Sequence, residues 1–524
     1  MKSHPLRRLK SVLFARPWLL ILLVTAAPFV PGALQFFRLG VPDVLAFGDN
    51  ATLEIRTLNV LHGTQLLGPY SRFGWSHPGP AFFYLAFPVY ELFHQHGPAL
   101  NVFVLACNFT AAIALVINAD KLRGELFALA TALLLAMYAA VGARFGLSED
   151  WNPVVPVLPL ALLLLLSVRI AQGAIEILPW FLFVASAMVQ THLGFLPATV
   201  FLFVAASLFG IRPFRGQRLW QTARRRVALS GLMAALVLLV SWAPPAYENF
   251  TAHPGNLSTL WTFFSSPHQA EHSVREAIQA VAKELAVFPL AVAGLFLDRA
   301  RDADITVCGA LALAETGALA FAVWFGFRRR DRTAAVFCCL VLGLIAVSVV
   351  SARAVRGEMK DYLLTWVSVV GLTAHIAVLS LVFREGGAPA WERRARTMLC
   401  VIGLPLLGLS LWRAGDKPMF QPHDADLERV AEQLEAYLRA SHIERPTLHV
   451  ATRGTWPKMA GLALSLYKHD VPVAVEDAWL SLVGPRFQAG AAPRFELAVA
   501  NRRLNKGYEL ISSAGNTFVY LRHR

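Results

Sequence analysis

Apolar stretches long enough to cross a membrane recur along this chain, near residues 17–37, 98–117, 125–143, 153–169, 175–192, 194–211, 228–245, 304–326, 335–352, 362–383 and 397–413. A hydrocarbon core about 30 Å thick takes roughly 20 helical residues, so the pattern predicts a polytopic α-helical membrane protein with about eleven spanning helices. Two more apolar segments, 79–93 and 285–297, contain proline and fall short of that length. They are expected to be re-entrant or juxtamembrane. After about residue 414 the pattern becomes that of a small soluble α/β domain. Helical periodicity covers 424–440 and 456–467, and strand-like runs fall at 447–451, 471–475, 494–499, 508–511 and 517–521. The chain thus divides into a transmembrane unit, 1–413, and an extramembrane domain, 414–524. It shows no internal repeat or low-complexity tract.

Composition agrees: 56% of the 524 residues are hydrophobic and 16% charged, which excludes an ordinary soluble globule. The net charge of +14 sits in short basic runs between apolar segments, a topology signal rather than a nucleic-acid-binding face. If neither short segment spans, the N-terminal cluster (Lys2, Arg7, Arg8, Lys10, Arg16), Lys121 and Arg123, Arg169, the 212–226 run, Arg328 to Arg332 and the 384–396 run all face the cytoplasm. The first apolar run then reads as a retained signal anchor with a cytoplasmic N-terminus, in a protein of the bacterial inner membrane. The same parity puts five unusual connections on the outer, periplasmic or extracellular face: 38–97, 148–153, 191–194, 242–250 with the loop after it, and 353–361. The C-terminal domain shares that face. All five cysteines lie inside apolar segments, without disulfide or metal spacing.

The outer connections carry the candidate chemistry. Residues 68–80 are dense in Gly, Pro, aromatics, Arg and His, where a fixed backbone could aim Tyr70, Arg72 and His77 at phosphate oxygens. About twenty residues earlier, Asp49 lies in a glycine-marked turn at the membrane surface, where burial would raise its pKa toward that of a useful general base; a helix N-cap is the plainer alternative. Glu54 lies about 140° further round an ideal helix, so the two carboxylates converge only if Asp49 precedes the helix. Glu149 and Asp150 form a second acidic pair, suited to a metal, an acceptor or a simple turn. Arg353, Arg356 and Lys360 are outer cations against the positive-inside bias, which a bound anion such as a lipid phosphate explains. Gln190, His192, Tyr247, Glu248 and Asn256 are further pocket-lining candidates.

This order of parts resembles the GT-C membrane glycosyltransferases. The likeness rests on a first span, a long outer loop with an acidic residue, and the entry His77-Pro-Gly-Pro-Ala-Phe-Phe-Tyr84, similar to the Lys/His-Pro-Pro-Leu-x-Tyr segment of the aminoarabinose and mannosyl transferase branches. It covers the first 250 residues or so; the rest matches in general plan. The resemblance implies an inverting transfer of a sugar from a polyprenyl-phosphate donor to a glycan, lipid or protein acceptor, with Asp49, and Glu54 second, in the place of the activating acid. The first loop lacks an Asp-Asp or Asp-Glu pair, and the oligosaccharyltransferase Trp-Trp-Asp signature is missing. These departures disfavour protein N-glycosylation and leave a divalent metal open. No nucleotide-binding glycine fingerprint is present. A lipid or polysaccharide transporter or flippase is the alternative, and a noncatalytic assembly partner or sensor the third; transport predicts ionisable residues midway through helices and repeat symmetry.

Overall fold

The computed structural model describes residues 17–142, 146–210, 217–266, 271–297, 303–383, 389–414, 418–420, 424–490, 495–504 and 507–522. In chain order the helices are α1 Pro17–Leu39, α2 Gly48–Leu61, α3 Ala81–Leu92, α4 Ala99–Arg123, α5 Glu125–Gly142, α6 Val157–Ala171, α7 Leu178–Thr191, α8 Leu196–Gly210, α9 Gln217–Thr251, α10 Asn256–Ser265, α11 Val274–Leu285, α12 Val287–Ala293, α13 Ile305–Arg328, α14 Arg332–Arg353, α15 Val367–Leu379, α16 Ala390–Ala414, α17 Ala425–Ala440, α18 Trp456–Lys468 and α19 Asp477–Val483. Eight are long and apolar enough to cross a membrane; they belong to α1, α4, α5, α8, α9, α13, α14 and α16. The other three expected spans are helices too, α6, α7 and α15, but shorter. Both α6 and α15 are buried among their neighbours over most of their length. The two short segments are the 12-residue α3 and the 7-residue α12, each too short to cross about 30 Å alone.

Two features run against the local sequence pattern. The Trp-Ala-Pro-Pro sequence does not break the chain: α9 continues through Pro244 and Pro245 to Thr251. A proline at 245 cannot donate to the Ser241 carbonyl one turn back, and Gln190 Nε2 donates to that oxygen instead at 2.8 Å. Nor are the spans free of charge at mid-depth. Glu315 lies midway along α13, its carboxylate 3.7 Å from Nε2 of His375 on α15.

Connections expected on one side of the membrane meet at one end of the bundle. Arg123 pairs with Asp331, Arg169 donates to Asn118 at 2.8 Å, Arg332 donates to the Phe209 carbonyl, and Arg396 lies 3.5 Å from Glu125. The loops expected on the outer side meet at the other end, described below.

The C-terminal domain is a five-stranded sheet, order β2-β1-β3-β5-β4, built from Thr447–Val450, Ala474–Val475, Glu496–Ala500, Glu509–Ala514 and Thr517–Arg522 as β1 to β5. β1 is parallel to β2 and β3, while β3, β5 and β4 run antiparallel. The sequence pattern anticipated every strand and both longer helices to within a few residues, but not α19. The domain does not stand apart: Leu427, Leu464 and Leu497 share one core with Ile55 of α2, Phe83 and Tyr90 of α3 and Phe103 of α4. The change of composition near residue 414 therefore marks a change of solvent, while the packing boundary runs through α2.

Candidate functional site

Residues from all five connections expected on the outer face line a single cavity of about 630 Å³. The first loop contributes Asp49, Tyr70, Arg72, Trp75 and His77; the 148–153 turn Trp151 and Asn152; the 191–194 turn His192 and Gly194; the α9–α10 region Trp242, Leu257, Leu260, Trp261, Phe263 and Phe264; and the 353–361 loop Arg356, followed by Tyr362. One end is polar. The other, between α8, α9 and α10, is walled by Leu196, Pro197, Leu260 and Trp261.

The residue types of 68–80 hold the polar end in shape. Main-chain bonds Gly68 N–H to the His77 carbonyl (2.9 Å) and His77 N–H to the Pro69 carbonyl (2.7 Å) close the loop into a narrow hairpin. Gly68 and Gly79 are required by contact: a Cβ on Gly68 would stand 2.5 Å from the Gln190 carbonyl, and one on Gly79 2.4 Å from Gln190 Oε1. Asn256 braces the loop from outside, accepting from Ser76 N–H at 3.0 Å and donating to its carbonyl at 2.8 Å. Arg56, which the sequence reading passed over, braces it from beneath. Its guanidinium is buried and donates to the carbonyls of Gly68, Ser481 and Leu482, so one side chain joins the loop to α19. Burial lowers its pKa to about 10, which leaves it charged.

Asp49 is the second residue of α2, not its cap, and points into the polar end. Tyr70 Oη donates to its Oδ1, and Trp151 also bonds to it. Burial raises its pKa, and the Tyr70 and Trp151 hydrogen bonds partly offset that rise. Tyr70 itself is held protonated by burial and by Asp49.

Arg72 sits at the mouth, donating to the carbonyls of Arg356 (2.9 Å) and Glu358 (3.0 Å). Arg356 lies over the Phe263 ring, 4.0 Å from its centre. His77 and His192 face each other with ring centres 4.7 Å apart. Burial, chiefly, holds both neutral: the His77 pKa falls well below the usual imidazole value and that of His192 to about 4. His77 is therefore no cation. Its Nδ1 accepts from Leu193 N–H at 3.0 Å, which leaves Nε2 to carry the proton.

The other sequence candidates lie away from the cavity wall. Glu54, on another face of α2 as its phase dictates, is 1% exposed and bonds Tyr90 Oη (2.8 Å) and Lys468 Nζ (3.0 Å). Glu54 therefore does not line the cavity beside Asp49, as a second activating acid would, and instead ties α2 to the C-terminal domain. Asp150 is buried behind Asp49, accepting from Asn50 at 2.6 Å, and burial pushes its pKa up to about 8. Together with Glu54, Asn50 and Asn101 it borders a void of about 30 Å³. Arg353 is exposed at the end of α14, and Lys360 is paired with Glu358. Glu149 is half-buried beside Asp150. Glu248 caps α10 by accepting from Asn256 N–H at 3.0 Å, and Tyr247 is exposed. Among the described residues no group of three or more His, Cys, Asp or Glu is placed to hold a metal ion.

No protein-family model matches the sequence, and no curated protein matches it. Among solved structures, ArnT from Cupriavidus metallidurans in the apo state aligns over 94% of this chain and 97% of its own, at 14% identity and a TM-score of 0.48. The oligosaccharyltransferase of Archaeoglobus fulgidus in the apo form aligns over 90% of this chain and 65% of its own, at 11% identity and a TM-score of 0.40.

Proposed function

We propose that the protein is a GT-C-like glycosyltransferase that moves a sugar from a polyprenyl-phosphate donor to an acceptor hydroxyl at the outer face of the membrane, with inversion. One observation carries this reading: a carboxylate, Asp49, and a guanidinium, Arg356, line the same cavity, whose far end is apolar and lies among the spans. A base and an anion clamp lining one cavity with apolar walls suit a lipid-phosphate sugar, the isoprenoid chain lying against Leu196, Leu260 and Trp261. In the transfer the acceptor oxygen attacks the anomeric carbon and the bond from that carbon to the phosphate oxygen breaks. The electron pair leaves with the phosphate toward Arg356 and the Nε2–H of His77, while the acceptor proton passes to Asp49. Tyr70 orients the carboxylate.

The lining also bears on the sugar. Asp49 is the cavity's single carboxylate among the described residues. An ammonium-bearing sugar would have to pair with it, and the pair would hold the carboxylate ionised but engaged and less basic. The donor sugar therefore carries no ammonium group. The test is to supply the purified protein with polyprenyl-phosphate mannose and polyprenyl-phosphate aminoarabinose, with water standing in for the acceptor hydroxyl, and follow release of polyprenyl phosphate together with the free sugar. Turnover of the first and little of the second is expected, with kcat/KM reduced about 10²-fold or more by Arg356→Ala. Release from neither donor, or release unaffected by Arg356→Ala, contradicts the reading.

A further inference from the structure

We infer that the carboxyl edge of the C-terminal sheet is the acceptor subsite of this site, and that it takes a saccharide carrying a phosphate or carboxylate. The inference rests on the glycosyltransferase reading. β1 is flanked by two parallel strands, β2 and β3, so the connections leaving its neighbourhood diverge to opposite sides. Parallel sheets open a crevice at such a point, outside the carboxyl ends of the strands. Here the loop after β1, 452–455, and the loop after β3, 501–504, are tied together by Asn501 N–H donating to Thr452 Oγ1 at 2.9 Å.

Three exposed arginines crowd these two short loops: Arg453, Arg502 and Arg503. Among the described residues no carboxylate pairs with any of them. Elsewhere in the domain Arg429 pairs with Asp426, Arg439 with Glu435 and Arg522 with Glu496, while Arg445 donates to the Arg486 and Gln488 carbonyls and Arg486 lies over the Tyr467 ring. The nearby carboxylate on this edge, Glu476, is engaged by His449 and by Val450 N–H. Guanidinium groups left free together suit an anion that is not part of the chain. None of the three arginines lines the cavity, so that anion is distinct from the donor phosphate that the cavity cations address.

The edge adjoins the proposed base. Three residues after Arg453, the Trp456 ring stands edge-on to Tyr70 with centres 6.3 Å apart, and Tyr70 holds Asp49. A Cβ placed on Gly48 would lie 3.4 Å from Pro457, so α18 begins directly beside the start of α2. Trp479 lies nearly parallel to Trp456, at 6.5 Å and 13°. Two half-buried indoles next to a cluster of unpaired arginines offer an apolar platform for a pyranose face and a clamp for its anionic substituent.

The test uses the full-length protein in neutral phosphatidylcholine nanodiscs, with glucosamine, glucosamine 6-phosphate, glucuronic acid and inorganic phosphate as probes in titration calorimetry. The two anionic sugars are expected to bind at least tenfold more tightly than glucosamine or phosphate. In the combined Arg453→Ala, Arg502→Ala, Arg503→Ala variant that advantage disappears, and the corresponding triple Lys variant restores part of it. Trp479→Ala weakens every sugar and leaves phosphate unchanged. Release of polyprenyl phosphate from polyprenyl-phosphate mannose without acceptor is unchanged in the triple Ala variant, which also reports an intact fold. Equal binding of glucosamine and its phosphate by the wild type, or full glucosamine 6-phosphate affinity in the triple Ala variant, overturns the subsite. Phosphate binding as tightly as the phosphorylated sugar overturns its saccharide part. Failure of the transferase reading shows separately, as no donor turnover in the wild type.

Discussion

At the scale of single residues, the proposed chemistry rests on Tyr70 and Asp49. Because the Tyr70 hydrogen bond lowers an Asp49 pKa that burial has raised, Tyr70→Phe moves it further up. The acid limb of the kcat/KM profile, where the base must be ionised, is expected to shift toward higher pH by on the order of one unit; an unchanged limb would exclude Asp49 as the titrating base. Asp150 makes a different prediction. Its folded-state pKa, raised to about 8, lies above the ordinary carboxylate value of 3.8, so the folded protein keeps a proton that the unfolded chain releases. The resulting stability is complete below about pH 4 and is lost as pH rises to about 8. Asp150→Asn, which keeps an acceptor for Asn50, should gain on the wild type in unfolding temperature across that window. A constant difference would count against a protonated Asp150. At this scale the sequence was legible where Gly and Pro marked a fixed loop, as for Arg72 and His77. Arg56 was not, because what buries it, α19, is contributed by residues 425 and 426 positions further along.

Elements were legible by length and periodicity, and their exceptions have local causes. The pair Pro244–Pro245 signals a break, yet α9 persists because Gln190, from a different helix, takes over a carbonyl that proline cannot serve. Gln190 is fully buried and also accepts from Ala81 N–H at 3.2 Å, so it ties α7, α9 and the start of α3. Gln190→Ala leaves buried backbone groups unpaired and should cost about 1–3 kcal/mol in thermal unfolding, with a loss of activity as the hairpin above it loosens. Unchanged stability would mean that α9 does not depend on this bond. Such a compensation across helices has no signature in either local sequence.

The whole molecule is two solvents' worth of structure joined through α2. That helix reads as amphipathic at a membrane surface, but its residues from Ala51 to Asn59 are buried on every side, between the spans and the C-terminal domain. The join includes a charge pair: Lys468 reaches Glu54, whose other oxygen is buried without a hydrogen-bond partner. Lys468→Met leaves that carboxylate uncompensated and should destabilise the protein by about 3–5 kcal/mol at neutral pH, and by less as pH falls and Glu54, whose pKa burial has raised, takes up a proton. Adding Glu54→Gln should recover most of the loss; failure of the second change to help would show that Lys468 acts through packing alone. The charge pattern did foretell which loops meet, since topology follows from charges near the spans. It could not foretell that the soluble domain closes over Glu54, because that depends on the phase of α2 against a helix whose Lys468 lies 414 positions further along.

The central claim is that Asp49 accepts the acceptor proton during transfer from a lipid-phosphate sugar. Its most direct test is single-turnover release of polyprenyl phosphate from polyprenyl-phosphate mannose by the wild type and by Asp49→Asn, with donor affinity measured in parallel. The account predicts donor binding within about twofold and a rate lowered about 10²–10⁴-fold in the variant. An Asp49→Asn protein that binds the donor and turns it over at the wild-type rate contradicts it.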